Sequence, residues 1–87
     1  MPDIDRVVSE MRRNTRGVRF VDLLHVCEHY FGPPRIHGSH FIFHKPWPGD
    51  PLINIQRDTN GKAKPYQVRQ VLAGIRELEK FLGGRHA

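Results

Sequence analysis

The chain has 87 residues, 38% of them hydrophobic and 26% charged, which fits one soluble globular domain and excludes a disordered chain. No apolar run approaches the ~20 residues that span a bilayer, the first residues lack a signal-peptide pattern, and the single cysteine cannot form an internal disulfide, so we expect a cytoplasmic protein without membrane contact. Fourteen Lys and Arg against nine Asp and Glu give a formal charge of +5, which favours a polyanionic partner, nucleic acid before an acidic protein.

The first predicted element is an amphipathic helix over residues 4–14. Asp3 is placed to cap it, and four apolar residues recur at helical spacing: Ile4, Val7, Val8 and Met11. Arginines near its end form a basic cluster, which we interpret as a solvated face, with a phosphate contact as the alternative. We assign residues 1–17 to an accessory helix, residues 18–83 to the main domain, and residues 84–87 to a frayed tail.

A second helix is predicted over residues 19–31, and Gly32 with the two prolines after it ends this helix. Its apolar stripe consists of Phe20, Leu23, Leu24, Cys27 and Phe31. Because Cys27 lies within the stripe, we interpret it as a buried hydrophobic residue rather than a nucleophile.

On the same helix, His25, Glu28 and His29 match the H-x-x-E-H pattern of inverzincin metalloproteases. Helical geometry places the three side chains opposite the apolar stripe, facing solvent. A catalytic zinc also needs a third protein ligand and a cleft, for which 87 residues leave little chain. We therefore favour an ordinary polar helix face and expect no metal, with a zinc hydrolase as the last alternative.

The middle of the chain is predicted to form an antiparallel meander of three strands: residues 35–37, 39–44 and 52–57. Residues 46–51, rich in Pro and Gly, form the loop before the third strand. On the central strand His40 and Ile42 share one face, and the two phenylalanines share the other. The sequence leaves open which of these faces meets the helices.

The last predicted helix begins at Pro65 and ends at Gly83 and Gly84. Its apolar stripe consists of Val68, Val71, Leu72, Ile75, Leu78 and Leu82. Lys62 and Lys64 flank its N-terminus, where free N–H groups favour an anion, so this pair is either a phosphate clamp or part of a solvated loop. After the accessory helix the order is α-β-β-β-α, and the fold class is α+β with a three-stranded antiparallel sheet.

This order has the general layout of a double-stranded-RNA-binding domain. Cleavage of RNA by internal attack needs a proton taken from the 2′-OH, charge stabilised on the phosphorane, and a proton given to the 5′-oxygen. His40 is our candidate acid or base, and Ser39 beside it is a candidate RNA contact. The candidate charge stabilisers and phosphate contacts are Arg35, His37, His44, Lys45, Lys62 and Lys64.

A longer pattern surrounds His40. A helix precedes the sequence Arg-x-x-Gly-Ser-His-x-x-Phe at residues 35–43, and a loop, a strand and a helix led by Lys-Pro follow it. From Phe20 to about Leu78 this arrangement resembles the HicA family of toxins from bacterial and archaeal toxin–antitoxin modules. The resemblance implies a double-stranded-RNA-binding-like fold, an mRNA interferase activity without a required metal or cofactor, His40 as the catalytic residue, and inhibition by a HicB-type antitoxin that covers the active face.

Two features depart from that family: the N-terminal helix, and a longer loop around Trp47. Trp47 is either an aromatic that stacks on a base or a partner, or a cap over the sheet edge, which we favour. Two further alternatives remain. In a non-catalytic RNA-binding module of the same fold, Lys62 and Lys64 would be essential and His40 dispensable. In a protein-binding adaptor, RNA affinity would be absent.

Overall fold

The computed structural model describes residues 3–44 and 53–86, and for residues 84–86 it describes the backbone alone. The helices are α1 (Ile4–Arg13), α2 (Phe20–Phe31) and α3 (Pro65–His86), and the strands are β1 (Arg35–His37), β2 (His40–Phe43) and β3 (Ile53–Ile55). The strands form one antiparallel sheet in the order β1-β2-β3. The predicted α+β class and meander are confirmed, whereas the loop at 46–51 lies outside the described residues.

Helix α1 begins where the sequence predicts. The Oδ1 atom of Asp3 accepts a hydrogen bond from the backbone N–H of Arg6 at 3.2 Å, which satisfies one free donor of the first turn. The buried residues of α1 are Val7, Val8 and Met11, and they belong to the same hydrophobic cluster as the buried residues of α2, α3 and the sheet. Helix α1 therefore packs in one core with the other elements.

Helix α2 presents its apolar side to this core and ends at Gly32, which has a φ of 85°. A positive φ strains most L-residues, so glycine is favoured at this position after a helix. The fully buried or nearly buried side chains of α2 are Phe20, Leu23, Val26 and Cys27. The predicted stripe omitted Val26 and included Leu24 and Phe31, which are only partly buried.

The strand register decides which face of the sheet meets the helices. Phe41 lies opposite Ile55, and Phe43 lies opposite Ile53. Phe43 and both isoleucines are fully buried, and the Phe41 ring lies 5.3 Å from the ring of Phe20 in α2. Because successive strand residues alternate between faces, the other residues of β2 lie on the outer face of the sheet, away from the helices.

A two-residue turn joins β1 to β2. Gly38 has a φ of 60°, Ser39 has no positive φ, and the residues on either side of the turn pair with each other. Glycine with positive φ at the first central position is the pattern of a type II′ turn, whose twist matches that of the strands. The turn fixes the strand register and therefore the outward direction of the strand residue that follows it.

We expect Gly38→Ala to lower the free energy of unfolding by about 1–2 kcal/mol, because alanine is strained at positive φ even where space is open. Chemical denaturation followed by circular dichroism measures the change. Gly83→Ala is the matched control, since Gly83 lies in α3 with open space and no positive φ; it should be neutral or stabilise by up to about 1 kcal/mol. Equal stability of Gly38→Ala and the wild type would contradict the turn geometry.

Helix α3 covers the inner face with Val68, Val71, Ile75 and Leu78, four residues of the predicted stripe. Of the other two predicted residues, Leu72 is half-buried, and Leu82 is exposed, so its place in the stripe was wrong. The predicted end at Gly83 and Gly84 is wrong, because the helix continues through His86. A glycine ends a helix when it takes a left-handed φ, and Gly83 does not. Within residues 3–44 and 53–86, no helix combines the length and apolar character that crossing a membrane requires.

Candidate active site

His40 is exposed on the outer face of the sheet and is held by one side chain. Its Nδ1 atom lies 3.1 Å from Oδ1 of Asn54 in the neighbouring strand β3. Asn54 pairs with Ile42, two residues along β2 from His40, so the hydrogen bond joins diagonal neighbours on one sheet face. Both residues lie on strands whose opposite faces are packed in the core, which gives the pair a rigid base.

The contact with Asn54 fits one tautomer of the neutral imidazole. With the amide oxygen of Asn54 facing the ring, as the structure places it, the fitting tautomer carries its proton on Nδ1 and donates it to that oxygen. The lone pair of the neutral ring is then on Nε2, which has no hydrogen-bond partner within the part of the chain that the structure describes. Such a group can take a proton from a ligand on the open face.

A second set of hydrogen bonds ties the turn before His40 to α3. The Nε2 atom of Gln56 donates to the Oγ atom of Ser39 at 2.8 Å. The backbone N–H of Gln56 donates to Oε1 of Gln67 at 2.9 Å, and Gln67 is buried in the first turns of α3. Gln56 therefore holds the side chain of Ser39, and Gln67 of α3 holds Gln56 in turn.

The edge strand β1 brings two of the predicted residues to the same face. His37 lies directly opposite His40, and Arg35 lies opposite Ile42. Both side chains are exposed, as is His44 just after β2. Lys45, another predicted RNA contact, lies outside the described residues. The structure thus assembles His40, His37, Arg35 and Ser39 around one end of the outer face.

Lys62 and Lys64 lie on the loop before α3. Oδ1 of Asp58 accepts the backbone N–H of Lys62 at 2.8 Å, and the carbonyl of Lys64 accepts the N–H groups of Gln67 and Val68. Lys62 is exposed and Lys64 is half-buried. Neither lysine contacts His40 directly; the loop is connected to the site through the Gln67–Gln56 hydrogen bond.

The H-x-x-E-H residues of α2 differ from the prediction at one position. Glu28 and His29 are exposed, but His25 is half-buried and its Nδ1 atom is buried without a hydrogen-bond partner. Ile4, at the N-terminal end of α1, lines the same surface hollow as these three residues. Across residues 3–44 and 53–86, no three His, Cys, Asp or Glu side chains lie close enough together to hold a metal ion.

Cys27 is fully buried, as predicted from the apolar stripe. Burial raises the pKa of its thiol far above the usual range, and the negative charge of Glu28 raises it further. At neutral pH the group is therefore a protonated thiol without access to solvent, and it packs as a small hydrophobic residue.

The sequence interpretation missed two polar residues that line the site, Asn54 in β3 and Gln56 just after it. Asn54 contacts His40, the first residue of β2, and Gln56 contacts Ser39 in the turn before β2. The alternation of Ile53, Asn54, Ile55 and Gln56 carries the signal, because it places two amides on the face opposite the buried isoleucines. The sequence also predicted that the third strand pairs with the central strand. The two amides could therefore have been named as hydrogen-bond partners for residues near His40.

Comparison with protein-family models, with curated proteins and with solved structures found no match for this chain. What the site does must therefore be inferred from its own residues and geometry.

Proposed function

We propose that this chain is a metal-independent endoribonuclease with a double-stranded-RNA-binding-like fold, acting as the toxin of a HicA-type toxin–antitoxin module. The observation that carries the proposal is the exposed His40, whose Nδ1 atom is held by Asn54 so that Nε2 is open to a ligand. This is the arrangement that a general base on an open RNA-binding face requires. His40 is also the histidine of the Gly-Ser-His sequence that carries the resemblance to the HicA family.

In the proposed reaction, Nε2 of His40 takes the proton from an RNA 2′-hydroxyl group. The 2′-oxygen then attacks the neighbouring phosphorus, the bond to the 5′-oxygen breaks, and the products carry a 2′,3′-cyclic phosphate and a 5′-hydroxyl. Arg35 and His37, on the strand beside His40, are the proposed groups that stabilise negative charge on the phosphorane. The proton for the leaving 5′-oxygen comes from a second group or from water.

The RNA contacts of the proposal are Arg35, Ser39, Lys45, Lys62 and Lys64, and the substrate is mRNA. The formal charge of +5 favours this polyanion. A HicB-like antitoxin is the proposed protein partner, and it would cover the outer face of the sheet. The proposed location is the cytoplasm, where mRNA is available.

The test is RNA cleavage by the purified protein in EDTA, with the ends of the products identified by mass spectrometry. We expect fragments with 2′,3′-cyclic phosphate ends, and no cleavage of the same RNA after 2′-O-methylation, which removes the nucleophile. Binding without cleavage of unmodified RNA would contradict the nuclease and favour the non-catalytic RNA-binding module. Cleavage of the methylated RNA would contradict the proposed reaction.

We expect Asn54→Ala to lower the cleavage rate by about tenfold or more, because His40 would lose the partner that fixes its tautomer and ring orientation. Asn54→Asp keeps an acceptor oxygen and should retain more activity than alanine. Single-turnover cleavage at saturating protein measures both, and RNA affinity should stay unchanged. Asn60→Ala is the control, since the side chain of Asn60 is exposed on the loop before α3. Equal rates for the two Asn54 variants would show that Asn54 does not act by accepting a hydrogen bond from Nδ1 of His40.

A further inference from the structure

Three arginines line a groove at the end of α1, far along the chain from His40. The groove has a volume of about 490 Å³ and runs between the C-terminal end of α1, the segment that follows it and the start of α2. Arg13, Arg16 and Arg19 line it, and all three side chains are exposed. We refer to this feature as the arginine groove.

None of these three arginines has a carboxylate partner within residues 3–44 and 53–86. The ion pairs there join Arg6 to Glu10 and Arg12 to Glu79. Two acidic residues do line the groove, but Glu10 is engaged by Arg6, which leaves Asp22 as the unpaired carboxylate. The positive charge of the groove is therefore only partly compensated.

The conformation of the groove is fixed by backbone and side-chain hydrogen bonds. The Oδ1 atom of Asn14 accepts the backbone N–H of Arg16 at 2.9 Å. Arg19 is the residue just before α2, and no side-chain hydrogen bond caps the helix there. A cation at a helix N-terminus is disfavoured by the helix dipole. The carboxylate of Asp22, in the first turn of α2, offsets part of this electrostatic cost, and a bound anion would offset more of it.

The groove is continuous with the lysine loop before α3. Arg19 pairs with Lys62 as in an antiparallel sheet, and the N–H of Ala63 donates to the carbonyl of Val18 at 2.8 Å. Arg57, on the same loop, lies over the Phe20 ring at 5.1 Å. One basic surface thus extends from the arginine groove to the loop whose far end is tied to the His40 site.

The lining of the groove favours a phosphate backbone over a protein partner. Protein interfaces depend on exposed apolar anchors at their centre. Among the described residues, the exposed large hydrophobic side chains are Val21, Ile36, Tyr66 and Leu82, and none of them lines the groove. Of its apolar lining residues, Val7 and Met11 are buried in the core and Val18 is half-buried. Arginine side chains are common donors to phosphate oxygens, and such contacts position a nucleic acid without reading its bases.

We propose that the arginine groove binds phosphates of the RNA backbone and extends the RNA-binding surface beyond the His40 site. Arg13, Arg16 and Arg19 contact the phosphates. The protein thereby contacts a longer stretch of RNA than the His40 site alone would contact. This inference rests on RNA being the ligand of the proposed function, but it does not depend on cleavage.

The test measures binding of a fluorescent RNA duplex of about 20 base pairs, longer than the ~16 that such domains span. All proteins carry His40→Ala, so that cleavage does not interfere. The groove variant replaces Arg13, Arg16 and Arg19 by Gln. The matched control replaces three exposed cations of α3 that do not line the groove, Arg69, Arg76 and Lys80, by Gln. Both variants lose the same charge, so a difference between them reports local contacts.

We expect the groove variant to bind about tenfold more weakly or worse, and the slope of log affinity against log salt to become shallower by about 2–3. The control should change far less in both quantities. Equal losses in the two variants would overturn the proposal, because net charge alone would then explain them. An unchanged RNA affinity of the groove variant would also overturn it and leave an acidic protein as the occupant.

Separate outcomes distinguish this inference from the proposed function. If the wild type cleaves RNA but the groove variant binds like the control, the groove proposal fails and the nuclease stands. If the wild type does not cleave RNA but binding depends on the groove, the nuclease fails and the groove proposal stands. If the parent protein does not bind the duplex at all, the groove proposal fails, and the cleavage experiment alone decides the nuclease.

Discussion

Replacing His40 by alanine is expected to slow RNA cleavage by about 10²–10⁴-fold, the usual range for loss of a general acid or base. The fold and the RNA affinity should be retained, because His40 is exposed and contributes no apolar packing to the core. The experiment follows RNA integrity over time in EDTA, with equal folding and equal binding of the two proteins established first.

His29→Ala is the matched control for this experiment. His29 is also an exposed histidine, but it lies on α2 rather than on the outer face of the sheet. We expect it to cleave like the wild type. If His40→Ala also cleaves like the wild type, either a contaminating nuclease or another residue is responsible, and His40 has no part in the chemistry. A loss in His29→Ala as large as in His40→Ala would point instead to general damage.

Met11→Ala is expected to lower the free energy of unfolding by about 2–5 kcal/mol. Met11 is fully buried in the hydrophobic cluster that α1 shares with α2, α3 and the sheet, so truncation leaves a cavity in the common core. A chain of this length is stable by about 4–13 kcal/mol in total. The loss would thus remove a large share of the stability, and it is measured by urea denaturation.

Ser9→Ala tests the same helix without touching the core, because Ser9 is exposed on α1. It should be neutral or slightly stabilising, since alanine is the better helix former. If Met11→Ala unfolds at the same denaturant concentration as Ser9→Ala, α1 is a separate accessory element, as the predicted division at residue 17 implies. A large difference would show that the domain requires α1 for its stability.

The sequence predicted the elements well because their signals are local. The Asp3 cap, the helical spacing of apolar residues and the proline that begins α3 each depend on neighbours a few positions away. The end of α3 was wrong because glycines end a helix only when their backbone turns left-handed, and that depends on the chain beyond. The burial of the Nδ1 atom of His25 was missed because helical spacing assigns a residue to a face but does not say how closely neighbouring side chains cover it.

The candidate site was predictable in part. His40 could be chosen from the Gly-Ser-His sequence and its place at a strand start, but the direction of its side chain was left open. That direction depends on the register of β2 against β3, and the burial of Phe43, Ile53 and Ile55 fixes it only once the strands are paired. The Asn54 partner follows from the same pairing, since a diagonal contact exists only in a defined register.

The contact of α1 with α3 also constrains when the protein can fold during synthesis. The hydrogen bond between Arg69 and Thr15 joins residues 54 positions apart. At about 5–20 residues per second, a ribosome needs about 3–11 seconds to add that length of chain. Until α3 has been synthesised, Met11 lacks the α3 side chains of its hydrophobic cluster, and Gln56 lacks Gln67, the buried side chain that holds it beside the turn. The core and the site around His40 therefore reach their final form together, once the last helix has left the ribosome.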